Sequence, residues 1–439
     1  MQENHNKKRV AFYTLGCKVN QYETNAMTQK FENEGYEIVS VEDTPDICII
    51  NTCTVTNISD RKSRQVLRKV KEKNHKAIVV AVGCYAQVAK DELEKMEEID
   101  MVLGNNEKNN IVSYVEEYEK DRKKICEITD VLHQKEYLDF GDITYTEKTR
   151  AVIKIQDGCD RFCSYCIIPY ARGRVRSRNP QSIIKEITDI SEEGIKEVVI
   201  TGIHIASYGK DFKDDYKLID LLEEINKIEK IKRIRLGSIE PLLIDEEFIE
   251  RLSKLDKICH QFHLSLQSGC DETLKRMNRR YDTKIFRNAV NLLREKYQDC
   301  ILTADVIVGF PKETDEEFEK TYEFLKEIAF YKMHVFKYSQ RKGTKAAIMD
   351  NQIDGIVKEK RSKTLINLSN ENQLKYNKSY IGKTVEVLFE EKDHEGFYRG
   401  HTNNYILVKT KSEENLDNKI VNVKIEDADV EDVVGKITM

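Results

Sequence analysis

The sequence predicts an α/β protein in three parts: a parallel sheet covered by helices, a partial β/α barrel, and a small antiparallel β-barrel. Short apolar runs alternate with polar, helix-forming stretches over residues 9–104, and again from 151 to about 340. Beyond residue 378 the pattern changes to short runs of period two, separated by Gly, Asn and Asp. The first pattern favours parallel sheets with helical cover. The second favours a small closed barrel.

In the first part, strands are expected at Val10–Leu15, Asp46–Ile50, Ala77–Val82 and Met101–Leu103, with helices at Asn20–Glu34, Ser59–Lys73 and Ala86–Met96. Residues 105–150 are polar, helical at first and patternless later, and read as a linker. In the second part, strands are expected at Ala151–Ile155, Glu197–Thr201, Arg233–Leu236, Gln261–Leu266, Leu302–Val308 and Met333–Tyr338. Charged amphipathic helices lie between them, and a second open sheet is the alternative to the barrel. Residues 355–378 read as a connecting helix. In the last part, Lys383–Phe389, Phe397–Thr402, Tyr405–Lys409 and Ile420–Ile425 are short strands. The expected domains are 8–120, a linker at 121–148, then 149–372 and 373–439.

The 439 residues are enough for about three domains at a prior of roughly 150 each. An apolar share of 40% excludes a wholly disordered chain. The balance of 72 Lys and Arg against 77 Asp and Glu excludes a uniformly basic nucleic-acid coat but allows local basic patches. No apolar run approaches the roughly 18 residues that span a bilayer, so no membrane partner is expected. The opening MQENHNKKRVAFYTLGC has no apolar leader core, so a cytoplasmic location is expected. Eleven cysteines, an odd number, then point to metal or redox chemistry rather than to a disulfide framework.

The densest motif is Cys159-Asp-Arg-Phe-Cys163-Ser-Tyr-Cys166, directly after the first strand of the second part. Three thiolates on one loop suit an iron–sulfur cluster, zinc or copper. A structural zinc needs a fourth ligand, and no further Cys or His lies nearby. Three ligands leave one iron of a 4Fe–4S cluster open to a small molecule. A second set is dispersed. Cys17, Cys53 and Cys84 each follow an expected strand and precede an expected helix. The carboxyl ends of parallel strands share one edge, where ligands bind, so these three thiols are expected to converge. Gly16 and Gly83 precede two of them and permit tight turns. Unrelated buried cysteines are the alternative. Cys48, Cys126, Cys259, Cys270 and Cys300 read as structural, with Cys270 a candidate for the barrel mouth.

The CxxxCxxC motif resembles that of radical S-adenosylmethionine enzymes. In that superfamily the open iron chelates S-adenosylmethionine, and one electron cleaves the sulfonium to give a 5′-deoxyadenosyl radical. The resemblance implies cofactor contacts at Tyr165, Gly202 in Thr201-Gly202-Ile203, Ser238 and Glu240 in Ser238-Ile239-Glu240, and Val308 in Val308-Gly309-Phe310-Pro311. Three dispersed cysteines, this motif and a terminal β-barrel together resemble the methylthiotransferases over essentially the whole chain. The three parts would then be a Rossmann-like cluster domain, a partial TIM-like radical core, and a TRAM domain (an RNA-binding module) matched by Tyr380-Ile-Gly-Lys383-Thr-Val-Glu-Val-Leu388. Thr14-Leu-Gly-Cys17-Lys-Val-Asn20-Gln-Tyr-Glu23, Thr201-Gly-Ile-His-Ile205 and Ser265-Leu-Gln-Ser-Gly-Cys270 are similar to the branch acting on N6-threonylcarbamoyladenosine in tRNA.

The resemblance implies two 4Fe–4S clusters, a radical-generating one on Cys159, Cys163 and Cys166 and an auxiliary one on Cys17, Cys53 and Cys84. It implies two molecules of S-adenosylmethionine, one methylating a cluster-borne sulfur and one removing hydrogen from C2 of the adenine. The product would be the 2-methylthio nucleoside at adenosine 37 of the tRNA anticodon loop, with an electron donor and a sulfur source as further partners. The same chemistry on isopentenyladenosine or on a ribosomal-protein aspartate is an alternative. A non-catalytic RNA-binding protein with structural zinc is an alternative of another class.

For RNA, Arg172, Arg174, Arg176 and Arg178 would form a one-sided stripe if extended. Arg172 or Arg174 is the candidate to meet the threonyl carboxylate. The helix from Arg61 to Lys76 carries eight cations against Glu72 alone. Its alternative is a solvated face. The terminal barrel has more acids than bases, so RNA binding there needs a local face with Lys383, Arg399, His401 and Lys409, and with Phe397, Tyr398 or Tyr405 for stacking.

Overall fold

A computed structural model describes residues 7–141, 143 and 149–438. The amino-terminal elements are β1 (Arg9–Thr14), α1 (Lys18–Asn33), β2 (Glu37–Ile38), β3 (Ile47–Thr52), α2 (Asn57–Lys73), β4 (Ile78–Gly83), α3 (Cys84–Val88), α4 (Lys90–Glu94), β5 (Met101–Leu103), α5 (Ile111–Asp121) and β6 (Ile125–Glu127). The six strands form one sheet in the order β2-β1-β3-β4-β5-β6, every pair parallel. All residues of β3 and β4 are buried, because helices and loops cover both faces and each face builds its own apolar cluster. This is why those strands read as unbroken apolar runs. The expected helix Ala86–Met96 is two short helices. The stretch read as a linker contains α5 and the edge strand β6. Its end, residues 144–148, lies outside the described residues.

The chain continues through β7 (Arg150–Asp157), α6 (Ile168–Arg172), β8 (Arg176–Ser177), α7 (Pro180–Glu192), β9 (Glu197–Gly202), α8 (Leu218–Asn226), β10 (Arg233–Leu236), β11 (Ser238–Ile239), α9 (Glu246–Leu252), β12 (Gln261–Gln267), α10 (Asp271–Arg276), α11 (Thr283–Lys296), β13 (Ile301–Val308), α12 (Asp315–Ile328), β14 (Lys332–Lys337) and α13 (Gly355–Lys378). Strands β9 and β10 pair in parallel, and so do β11, β12, β13 and β14 in sequence, giving the partial barrel. The capping box of Thr314 with Glu317 starts α12.

The last five strands, β15 (Thr384–Lys392), β16 (Tyr398–Thr402), β17 (Leu407–Thr410), β18 (Ile420–Ala428) and β19 (Val433–Ile437), close into a barrel in the order β15-β16-β17-β19-β18. Beyond the four strands expected of an antiparallel barrel it has a fifth after the acidic run, paired in parallel with β17. Its core includes Val387, Phe389, Tyr398, Val408, Val423 and Val433.

The chain divides into two compact units that cut across the order of elements. The first comprises Met1–Tyr145, Lys154–Arg178 and Ser339–Thr344, and the second comprises Thr146–Ile153, Asn179–Tyr338 and Lys345–Met439. Both cysteine sets therefore belong to the first unit.

Candidate functional site

In the first unit β1, β3 and β4 are adjacent and parallel, so Cys17, Cys53 and Cys84 lie at one edge of the sheet. Cys17 caps α1 and is exposed, whereas Cys53 and Cys84 are buried. Gly16 has φ +104°, and a Cβ there would stand 2.9 Å from Cys53 Sγ, so the backbone presses against that thiol. Burial pushes the Cys53 thiol up to about 11, and the neighbouring Cys84 and Cys17 push it the same way. Asn20, one turn after Cys17, fastens the two strand ends. Its amide donates to the carbonyls of Leu15 at 2.7 Å and Thr52 at 3.0 Å.

The Cys159–Cys166 loop is held in the same unit by backbone turns. Cys159 N–H donates to the Gly173 carbonyl at 3.0 Å, and Cys166 N–H to the Cys163 carbonyl at 3.0 Å. Gly158 has φ +71°, and a Cβ there would overlap the Arg174 carbonyl. Arg161 N–H donates to Cys159 Sγ at 3.4 Å. Cys163 is buried and Cys159, Tyr165 and Cys166 are half-buried.

The two cysteine sets are joined by a buried polar network. α6 follows the loop, and its last residue, Arg172, donates through Nε to Cys84 Sγ at 3.1 Å. The same guanidinium binds Glu23 at 2.6 Å, Asp157 at 3.2 Å and Asn20 Oδ1 at 2.7 Å. Lys154 pairs with Glu23 at 2.7 Å and Asp157 at 2.6 Å, and Lys108 also pairs with Glu23. Burial would raise the Glu23 carboxyl, but Arg172, Lys108 and Lys154 outweigh it and hold it well below the usual range. Asp157 is lowered in the same way by Lys154, Arg172 and Arg176 against its own burial. Asn105 Nδ2 donates to the Ala171 carbonyl at 2.7 Å and lies 3.9 Å from Cys84 Sγ.

Glu23, Lys108, Lys154 and Asp157 were not singled out by sequence reasoning. The available signal was Lys154, a charge inside the apolar strand β7, and the Asn20/Glu23 pair spaced i, i+3 just after Cys17. A third segment completes this unit: Arg341, itself buried, binds Thr54 Oγ1 at 2.5 Å, Asn57 Oδ1 at 2.6 Å and Asp60 at 2.7 Å, just after Cys53.

The arginine stripe is corrected. Residues 168–172 are helical and only Arg176–Ser177 are extended, so the alternation has no single face. Arg172, Arg176 and Arg178 are buried; Arg178 pairs with Asp139 at 3.2 Å and the Tyr22 hydroxyl at 3.0 Å. Only Arg174 is exposed, 4.7 Å over the Phe162 ring and 3.3 Å from Asp160. On α2, Arg64, Arg68, Lys71 and Lys73 are ion-paired, which favours the bland reading for that side of the helix.

In the second unit, Gly202 ends β9 and Val308 ends β13, at the carboxyl ends of parallel strands, whereas Ser238 opens the two-residue β11. Ser238 Oγ is 2.8 Å from Ser265 Oγ. Glu240 is buried, 3.3 Å from His204 Nε2 and 3.4 Å from Arg279. Cys270 is buried and donates to Glu272. In the terminal barrel Lys383 is exposed over Tyr380 and Arg399 pairs with Asp393 at 3.0 Å. Tyr398 is a core residue, so it is not available to bases. Tyr405 has one face stacked on His401 at 4.3 Å and Arg235 4.5 Å from its ring centroid.

Among the described residues no three His, Cys, Asp or Glu side chains converge on a point that one metal ion would fill. A four-iron cluster asks for something else: soft thiolates spread around a cube, with N–H donors aimed at the sulfurs. Two such donors are present: Arg161 N–H on Cys159 Sγ and Arg172 Nε–H on Cys84 Sγ.

The profile of the Radical SAM superfamily matches residues 153–325, that of the Uncharacterized protein family UPF0004 residues 9–104, and that of the TRAM domain residues 378–437. The threonylcarbamoyladenosine tRNA methylthiotransferase MtaB of Bacillus subtilis is 43% identical over 95% of this chain and 93% of its own. The chain belongs to the radical S-adenosylmethionine tRNA methylthiotransferase family. It is thus an enzyme of radical methylthiolation, with 4Fe–4S chemistry and S-adenosylmethionine as its cofactors. The MtaB protein of Aquifex aeolicus is 40% identical, over 95% of this chain and 100% of its own. The tRNA-2-methylthio-N(6)-dimethylallyladenosine synthase of Clostridium botulinum is 35% identical, over 94% and 93%. The fold of this methylthiotransferase is shared by the radical S-adenosylmethionine methyltransferase TsrM of Kitasatospora setae, at a TM-score of 0.57 and 16% identity over 78% of this chain and 77% of that one. No helix among the described residues is long and apolar enough to cross a membrane.

Proposed function

We propose that this chain methylthiolates C2 of N6-threonylcarbamoyladenosine at position 37 of tRNA, with Cys159, Cys163 and Cys166 holding one 4Fe–4S cluster and Cys17, Cys53 and Cys84 holding a second. The observation that carries the two-cluster reading is the placement of both cysteine triads in one compact unit, joined through Arg172, Glu23 and Asn20. The greater similarity to MtaB proteins than to the dimethylallyladenosine synthase supports the substrate.

When bound, the clusters and S-adenosylmethionine supply the one-electron chemistry at C2 and the methylthio group, drawing on an external electron donor. The chain's own work is positional. Gly158 and Gly173 shape the loop that presents three thiols. Asn20 and Gly16 bring the Cys17 and Cys53 turns together. Arg174, exposed near that loop, is the cation assigned to the threonyl carboxylate, which must not be buried unpaired. Tyr165, Gly202, Ser238, Glu240 and Val308 are assigned to the S-adenosylmethionine site, and Lys383 and Arg399 to the RNA backbone.

Anaerobic iron and sulfide quantification tests the clusters. Replacing Cys17, Cys53 and Cys84 together by Ala is expected to leave about half the iron, and unchanged iron overturns the assignment. Mass spectrometry of tRNA nucleosides from a deletion strain tests the substrate. Loss of the methylthio mark from isopentenyladenosine instead would transfer the chain to the other branch.

A further inference from the structure

Arg172, buried and the last residue of the helix that leaves the CxxxCxxC loop, donates from its guanidinium to a thiol of the dispersed triad. Resting on the two-cluster reading, we propose that Arg172 is a positioning residue that sets the reduction potential of the cluster held by Cys17, Cys53 and Cys84, through its Nε–H bond to Cys84 Sγ.

The surroundings argue for this. Among the described residues, four buried cations (Lys108, Lys154, Arg172 and Arg176) meet two buried carboxylates, Glu23 and Asp157. The surplus positive charge lies beside Cys84. Buried ion networks are a poor way to hold helices together, since apolar side chains of similar volume do it as well or better. What apolar side chains do not supply is a fixed charge and an N–H donor at a sulfur. Hydrogen bonds to sulfur and net local charge are among the levers that tune iron–sulfur potentials. The guanidinium is also held on its other edges. Both its terminal nitrogens reach Glu23, Nη1 also reaches Asp157, Nη2 reaches Asn20, and Arg176 donates to the Arg172 carbonyl at 2.8 Å. Its Nε is thereby aimed at one atom rather than free to sample several.

The sign follows from charge. Reduction adds an electron to an already anionic cluster, and a nearby cation favours it. Removing Arg172 lowers the potential, and neutralising Glu23 leaves the surplus larger and raises it. The link to α6 gives this setting a route to the radical loop, because a shift of that helix moves the donor on Cys84.

The test uses the full chain, reconstituted anaerobically, with Cys159, Cys163 and Cys166 replaced by Ala so that one cluster remains. Its midpoint potential is read by electron paramagnetic resonance during redox titration. Arg172→Gln is expected to shift the reduced-to-oxidised ratio at fixed potential at least tenfold toward oxidised, about 59 mV for a one-electron couple. Glu23→Gln is expected to shift it toward reduced. Arg172→Lys, which keeps the charge but not the fork, should lie between wild type and Arg172→Gln. If Arg172→Gln does not fold or load iron, the opposed shifts of Glu23→Gln and Arg172→Lys decide. Equal potentials in all iron-loaded variants, or shifts of one sign, overturn the proposal. A parent protein with no iron overturns the ligand assignment beneath it, a failure seen in the metal count before any potential is measured.

Discussion

Asn20→Ala is the perturbation with the clearest consequence for the dispersed cysteines. Asn20 is buried, and its amide serves the carbonyls of Leu15 and Thr52, which precede Cys17 and Cys53 by two residues and one. Alanine leaves both carbonyls buried without these donors. At about 1–3 kcal/mol for each lost partner, the two turns lose about 2–6 kcal/mol of local stability. That is a large share of the roughly 5–15 kcal/mol that holds a domain folded. A single global midpoint would blur the effect in a chain of two compact units. Hydrogen exchange on peptides spanning 14–24 and 48–60 reads it directly, since exchange reports local opening. At 1.36 kcal/mol per tenfold, the lower bound of about 2 kcal/mol predicts protection reduced about 30-fold in both peptides. The terminal barrel should be unchanged. Asn20→Asp is the control. It keeps an acceptor for Arg172 but faces both carbonyls with oxygen, so it should open the same peptides. Unaltered exchange in both variants would refute the idea that this amide holds the two turns.

Gly158→Ala should strip iron from the CxxxCxxC loop while leaving iron at the other triad, because its Cβ would overlap the Arg174 carbonyl. Iron counting and a spectrum of the remaining cluster check this. Burial raises the Glu197 carboxyl, but Arg235, Arg150 and Arg233 hold it below its usual value. The stability it contributes is therefore complete above the unfolded carboxyl's value of about 4.3 and lost as pH falls below it. Glu197→Ala should cost about 3–5 kcal/mol near neutrality and flatten the loss of stability in acid, which melts from pH 6.5 to 3.5 would show. Arg174→Gln should weaken tRNA modification and leave substrate-free cleavage of S-adenosylmethionine intact. Equal loss of both would place Arg174 with the cofactor.

Much of the fold was legible because parallel strands buried on both faces are continuous apolar runs, as in β3 and β4. The positions of Cys53 and Cys84 just past such strands were legible for the same reason. The arginine stripe was misread. Alternation suggested an extended segment, but α6 takes Arg172, and the carboxylates that neutralise it come from Glu23, 149 residues earlier, and Asp157. Pairing at that separation leaves no local pattern. Tyr398 was misread for a related reason, since a tyrosine on a short strand gives no sign of which face the closed barrel will bury. The strand β6 was missed because its Ile-Cys-Glu is only partly buried at the sheet edge, whereas the equally short β5 is wholly apolar and buried.

The discontinuity of the first compact unit has a consequence on the ribosome. Arg341, which pins the turn after Cys53, emerges 196 residues after Tyr145, where the unit's opening segment ends. At about 5–20 residues per second, the nascent chain carries its unfinished cysteine edge for about 10–40 s. Metal delivered in that interval would meet thiols whose clasp has yet to be synthesised. The cysteine edge of this unit is thus complete only once translation has passed β14 and reached Arg341.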